Sequence, residues 1–235
     1  MKTILERANA RGHAHHGALD TFYSFSYGDY HNPSRLNFGM LQAVNDNTLS
    51  PLETVVLHPQ KNMEIISLPL TGSLHHQDSL GNKEMIRWGQ IQVLSTGRGV
   101  EYSDYNDSSS KIPSNFLQIM FLPDELNVQP AFEIFDIMPA LREGQLCPIV
   151  APDGTAPAML KQNIRLSIGL LHHGFSAEYK LHGPDMGVFA FLLGGHADVA
   201  DFDLNPRDSL CISDTDSFRI EAVKNTTLLL IEVPL

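Results

Sequence analysis

Along most of the chain, apolar and polar residues alternate with a period of two instead of grouping at helical spacing. That pattern turns successive side chains to opposite faces of a strand and buries one face. It predicts strands over Thr54–Leu57, Glu64–Leu70, Met85–Arg87, Gln90–Leu94 and Phe116–Phe121 in the first part of the sequence. A second series follows at Ala177–Leu181, Val188–Leu193, His196–Val199, Ser209–Ile212, Phe218–Ala222 and Thr227–Glu232. Turn-forming pairs separate them, among them Thr71-Gly72, Gly81-Asn82, Trp88-Gly89, Gly194-Gly195 and Asn205-Pro206. Many short strands at such intervals imply an all-β sandwich or barrel. Between the two series, residues 123–154 are rich in Pro, Gly and acidic side chains and carry a weak helical period near Phe132–Arg142. They read as a connector.

The two series also repeat each other. Ile65–Leu74 followed by Trp88–Leu94 parallels Val188–His196 followed by Pro206–Ile212: an apolar strand ending at glycine, a hairpin, then another apolar strand. This is the mark of an internal β duplication. A chain of 235 residues suits one large β unit or two small ones, and 43% hydrophobic with 18% charged residues supplies a core and excludes disorder.

Charge and cysteine content narrow the function classes. Sixteen Lys+Arg against 27 Asp+Glu gives a net charge of −11, and no cluster of basic residues interrupts it. Direct binding to nucleic acid or to an anionic membrane is therefore not expected. No apolar run approaches the ~18 residues of a spanning helix, the longest being Met186–Gly195. The opening Met1-Lys-Thr-Ile-Leu-Glu-Arg turns polar before a signal-peptide core forms, so a cytoplasmic location is expected. Cys147 and Cys211 lie far apart and form neither a disulfide framework nor a zinc knuckle. Cys211, in the alternating stretch Ser209–Ser213, is expected to point into a core; a redox-sensing thiol is the other reading for either cysteine.

Two short segments have the outline of a metal site. His58 and Gln60 are two residues apart, as are Tyr102 and Asp104, so on strands each pair projects to one side. Two such pairs on neighbouring strands could surround one ion. Of the other histidines, His75 and His76 are adjacent, so only one can face inward. His13, His15 and His16 read as packing or turn residues, and His172, His173 and His182 have no partner at ligand spacing. Asp201-Phe-Asp203-Leu-Asn205-Pro206 imitates a calcium loop, but Pro stands where Gly is needed and Ile212 where the bidentate Glu belongs.

Arg11–Asp20 (RGHAHHGALD), Phe25–Tyr30 (FSYGDY), Asn45–Asn47, His76–Asn82 (HQDSLGN), Leu94–Gly99 and Tyr102–Asn106 together resemble the signature of the pirin family, in family order and nearly throughout the chain. Leu181-His-Gly-Pro184 and the Tyr-Ser-Asp segment look most like the bacterial branch of redox-sensitive bicupins. The resemblance implies two cupin barrels, the first holding one divalent metal, usually iron, through three histidines and a glutamate. Some members cleave quercetin with dioxygen and others act as transcriptional cofactors. Carried over position by position, the first histidine is His58, the second falls on Gln60, the third on Tyr102 and the glutamate on Asp104. Three of the four positions depart from the pattern.

Iron(II) oxygenase sites need at least two imidazoles and a carboxylate with open positions. An amide is a weak neutral ligand, and a phenol with a pKa near ~10 binds well only after losing its proton. Asp keeps the charge of Glu but is one methylene shorter. Divalent-metal affinity is accordingly expected to be much reduced, with Tyr102 filling the space of the ion. The expected architecture is an all-β bicupin of two barrels packed face to face. It comprises an N-terminal cupin over 1–125, a short helical connector over 126–155 and a metal-free C-terminal cupin over 156–235, with a late strand or tail crossing over. The expected function is non-oxygenase: a protein that binds a small molecule in the N-terminal barrel, or plays a redox-linked regulatory role. It would carry no cofactor, and a protein partner stays open. The alternative is a quercetin 2,3-dioxygenase-type oxygenase, with His58 and Asp104 holding iron or another divalent transition metal and Gln60 and Tyr102 completing the set.

Overall fold

A computed structural model describes residues 1–55, 58–107, 111–160 and 162–235. Among these residues the chain consists of strands and turns with one 3-10 turn, Ala8–Ala10, and none of its helices is long or apolar enough to cross a membrane. β1 (Lys2–Glu6) is followed by the hairpin β2 (Gly12–His16) and β3 (Leu19–Tyr23), then β4 (Leu41–Leu49) and β5 (His58–Gln60). Next come β6 (Glu64–Thr71), β7 (Ser73–Asp78), β8 (Lys83–Arg87), β9 (Gln90–Ser95), β10 (Val100–Tyr105), β11 (Ser114–Phe121) and β12 (Ala131–Asp136). The second half holds β13 (Leu146–Val150), β14 (Arg165–Leu171), β15 (Ser176–Lys180), β16 (Met186–Gly194) and β17 (Ala197–Val199). It ends with β18 (Phe202–Leu204), β19 (Ser209–Ser213), β20 (Ser217–Ala222) and β21 (Thr226–Pro234). Of the strand expected at Thr54–Leu57, Thr54 bridges Tyr105, while Val56 and Leu57 lie outside the described residues.

The chain divides into two units, an N-terminal one of Gly12–Asn37 and Leu41–Met138 and a C-terminal one of Pro139–Leu235 with Met1–Arg11 and Phe38–Met40. The N-terminal unit has sheets in the order β12-β9-β6-β11-β4-β3-β2 and β5-β10-β7-β8. The C-terminal unit has β1-β19-β16-β21-β14-β13 and β15-β20-β17-β18. The small sheets match strand for strand, as do the central strands of the large ones. The duplication read from the sequence is therefore a repeat of topology, and each unit is a cupin-type barrel.

Two sequence expectations need correction. Phe132–Arg142 is not helical: Ala131–Asp136 is β12, paired antiparallel with β9 from Ala131–Ser95 to Asp136–Gln90. Phe132 and Ile134, two apart, both pack on the apolar clusters of the N-terminal unit, so the period that matters is two. The expected connector is thus split, β12 belonging to the N-terminal unit and β13 to the C-terminal one. The strand that crosses over is also the first and not a late one: β1 pairs with β19 from Lys2–Ser213 to Glu6–Ser209. Arg7 anchors it there, its guanidinium donating to Asp208 at 2.7 Å.

The cores differ in kind. The interior of the C-terminal unit is one apolar cluster that includes Leu171, Val188, Leu192, Leu210, Phe218 and Leu228. In the N-terminal unit two smaller apolar groups face each other across polar residues, one with Ala43, Ile65, Leu94 and Met120, the other with Leu49, Leu74, Ile86 and Phe116. Along β4 and β11 the residues between these groups are Asn45, Asn47 and Gln118, all buried. Buried Ser67 on β6 and Gln92 on β9 extend this polar belt. The turn after β16 needs its glycine: Gly195 has φ +91° and an added Cβ would lie 2.1 Å from the carbonyl oxygen of Asn225.

Candidate functional site

β10 lies inside the small sheet of the N-terminal unit and turns Tyr102 and Asp104 inward, both 1% exposed. On one side Tyr102 stands opposite His58 and Val100 opposite Gln60; on the other Tyr102 stands opposite Asp78 and Asp104 opposite His76. The four residues singled out from the sequence therefore share two neighbouring strands. The Tyr102 ring lies between two imidazoles, 4.5 Å from His58 and 5.6 Å from His76 by ring centres. Gln60 points its amide nitrogen at the Tyr27 hydroxyl, 2.9 Å away.

His76 is the histidine of the adjacent pair that faces inward, and it organises the buried side of the site. Its Nδ1 lies 3.1 Å from Asp104 Oδ1 and its Nε2 3.3 Å from Asp78 Oδ2. The Gln92 amide approaches Nδ1 at 3.3 Å, and Phe132 stacks on the ring at 4.8 Å. Asp104 takes a second hydrogen bond on Oδ2 from the Gln118 amide, 3.0 Å away. Asp78 is held below the ordinary carboxylate range: burial pushes it up, but the bonds from Asn82, His76 and Leu80 together outweigh that. Burial first, then the charge of Asp104 and the neighbouring Tyr27, raises the Tyr102 phenol well above its ordinary value, with Gln118 acting weakly the other way.

These residues do not fit the ion of the family pattern. The phenol keeps its proton at neutral pH, so Tyr102 offers no anionic oxygen. Asp104 is already engaged through both oxygens, and both nitrogens of His76 face carboxylates. Among the described residues no group of three or more His, Cys, Asp or Glu side chains stands in an arrangement ready to hold a metal. The Tyr102 hydroxyl is buried and has no hydrogen-bond partner of ordinary geometry. Replacing Tyr102 with Phe should therefore leave stability unchanged or raise it by about 1 kcal/mol. Urea denaturation tests this, and a loss of about 2 kcal/mol would mean that the hydroxyl makes a bond absent from this geometry.

A cavity of about 100 Å³ adjoins the site, lined in part by Tyr23, Tyr27, Asn45, His58, Phe116 and Gln118. The Asn45 side-chain oxygen, on its wall, is buried without a partner, as are Ser67 Oγ and Gln92 Oε1 nearby in the polar belt. Among the described residues, every buried side-chain atom in this condition except Arg165 Nε belongs to the N-terminal unit. The sequence reading named Asn45 only within the family signature and did not single out Gln92 or Gln118, although Gln118 is a polar residue between inward-facing Phe116 and Met120 on β11.

In the C-terminal unit the equivalent small sheet turns Tyr179, Phe218 and Ile220 inward. Glu232, on β21 of the large sheet, is a buried carboxylate, 0% exposed. Glu232 accepts hydrogen bonds from the Tyr179 hydroxyl at 2.7 Å, the His182 backbone N–H at 2.6 Å and His182 Nδ1 at 2.8 Å. Burial and the charge of Glu232 hold the Tyr179 phenol far above its ordinary value. The two redox candidates, Cys147 on β13 and Cys211 on β19, are buried. Their strands are four places apart in one sheet, roughly 19 Å at ~4.8 Å per strand, too far for a disulfide.

Two barrels of repeated topology, one of them crossed by a polar belt, define a bicupin in which His58 is the one imidazole among the four positions of the family's ligand pattern. The Pirin family profile matches residues 5–120, and that of the quercetinase C-terminal cupin domain matches residues 148–233. The chain belongs to the pirin family. It is 31% identical to a quercetin 2,3-dioxygenase of Escherichia coli K12 over 98% of both chains. It is 28% identical to a pirin-like protein of Caulobacter vibrioides, over 94% of this chain and 95% of that one. In three dimensions it is similar to the bacterial pirin YhhW from Escherichia coli in complex with nickel(II), with TM-score 0.91, 28% identity and 99% of each chain covered.

Proposed function

We propose that this pirin-family protein is a non-oxygenase that binds a small polar molecule in its N-terminal barrel without a metal ion. The observation that carries this reading is the placement of Tyr102 between His58 and His76, with Asp104 already bonded to His76 and Gln118. The partnerless polar atoms of the belt supply recognition groups. The cavity of about 100 Å³ limits the ligand to a few heavy atoms, since pockets for drug-sized molecules start near ~300 Å³. A redox-linked role is less favoured, because reactive thiols need exposure and Cys147 and Cys211 are buried.

The second reading is a metal-dependent quercetin 2,3-dioxygenase, favoured by the name of the Escherichia coli relative matched over 98% of both chains. It would place the ion at His58 and Asp104, with Gln60 and Tyr102 completing the set, and would require Asp104 to exchange its bonds to His76 and Gln118 for the ion. Elemental analysis of protein purified without chelator, beside the His58→Ala variant, separates the two. Under the proposed function the variant has the same metal content as the unmodified protein, and neither turns over quercetin with added Ni²⁺ or Fe²⁺. Near-stoichiometric metal that His58→Ala removes, together with quercetin turnover, would establish the oxygenase reading instead.

A further inference from the structure

We propose that the β2–β3 hairpin is a separate binding site for a divalent transition ion of the zinc, nickel and copper class, held by His13, His15 and Asp20. β2 is the edge strand of the seven-stranded sheet. His13 and His15 are two apart on it and so share a face, and the register sets His15 directly opposite Asp20 and His13 opposite Phe22. Both imidazoles converge on one carboxylate oxygen: His13 Nε2 lies 2.7 Å and His15 Nδ1 3.5 Å from Asp20 Oδ1. Donors around an ion with bonds of ~2.0–2.1 Å stand roughly 3.0–3.4 Å apart, so ligation needs only small rotations of side chains that already meet at Asp20.

Other features fix the arrangement. The His13 ring is stacked on Phe22 at 4.5 Å with 20° between the planes, which sets its orientation. The two-residue turn Gly17-Ala18, with Gly17 at φ +64°, holds the two strands in register. The side chains of His13, His15 and Asp20 are 50%, 66% and 37% exposed, leaving room for water to complete the coordination. The three are not preassembled around an ion; they bond to one another. An entering ion exchanges the His13–Asp20 hydrogen bond for metal bonds by rotation of exposed side chains, which leaves the strands in place. Two imidazoles and a carboxylate suit zinc, nickel or copper and not calcium or magnesium. A net charge of −11 favours the approach of any cation. His16 follows His15 directly, points to the other face and takes no part.

The test is calorimetric titration of the full chain, stripped of metal, with Zn²⁺ alone, while histidine ring protons are followed by NMR. One ion should bind, moving the His13 and His15 signals. The double variant His13→Ala/His15→Ala should bind at least about tenfold more weakly, Asp20→Asn about threefold, and His58→Ala as well as the unmodified chain. All three hairpin side chains are exposed, so unchanged melting curves will show that the variants are folded. No binding at ~1 mM Zn²⁺, weaker than almost any specific site, or binding indifferent to the double variant, would overturn the proposal. Binding lost in His58→Ala but kept in the hairpin variant would overturn both this site and the metal-free reading of the barrel. Loss in the hairpin variant alone supports this site and leaves the barrel reading untouched.

Discussion

Substituting Gln60→His, Tyr102→His and Asp104→Glu together is expected to give the N-terminal barrel a hold on Ni²⁺ at least about a hundredfold tighter than the unmodified barrel has. Outer partners of metal ligands are alone worth 10–100-fold in affinity, and restoring two missing imidazoles should exceed that. The changes act on the obstacles seen in the site. A histidine at 102 takes less space than the phenol between His58 and His76. A histidine at 60 exchanges an amide turned to Tyr27 for a ring nitrogen. A glutamate at 104 reaches one methylene beyond the oxygen that now bonds His76. The measurement is Ni²⁺ titration in a background carrying His13→Ala and His15→Ala, so that the hairpin contributes nothing. If the triple variant binds no better, the three substitutions are not what separates this barrel from the family pattern, and the buried His76 network is the next obstacle to remove.

Glu232→Ala is expected to lower the stability of the C-terminal unit by roughly 3–5 kcal/mol, since three donors at about 1–3 kcal/mol each lose their charged acceptor. Removing the carboxylate leaves the Tyr179 hydroxyl, the His182 N–H and the His182 ring without their acceptor. It also takes the charge from beside Arg165, its direct cross-strand partner on β14. At a few degrees per kcal/mol, the melting transition of that unit should fall by about 10 °C or more. Glu232→Gln, which keeps an acceptor but not the charge, should cost less. Calorimetry that resolves the two units decides this. A change under about 1 kcal/mol would show that the network is incidental to the fold.

The all-β bicupin was legible because its strands either obey a two-residue period where one face is apolar, as along Phe218–Ala222, or run continuously apolar where both faces are buried, as along Val188–Leu192. The strands that line the site were harder to see for the same reason that they matter. β4 carries Asn45 and Asn47 at inward positions, and β10 carries Asp104, so apolar alternation fails there. His58 and Gln60 lie on one strand and Tyr102 and Asp104 on its neighbour, as the two-residue spacing within each pair suggested. The central role of His76 was only half visible: adjacency said that one of His75 and His76 faces inward, and only the pairing with Asp104 says which. Phe132–Arg142 misled because Phe132, Phe135 and the residues after them also fit a helical period, whereas pairing with β9 decides the outcome. Tertiary pairing of this kind leaves no mark in a local window.

That the opening strand completes the sheet of the closing half has a practical consequence. Neither half of this protein is a contiguous piece of chain, so no single cut yields two independent fragments. A fragment starting after residue 138 would lack the partner of β19 and expose a row of backbone donors and acceptors, an invitation to aggregate. During synthesis, β1 must wait until β19 has been made before its own hydrogen bonds can close.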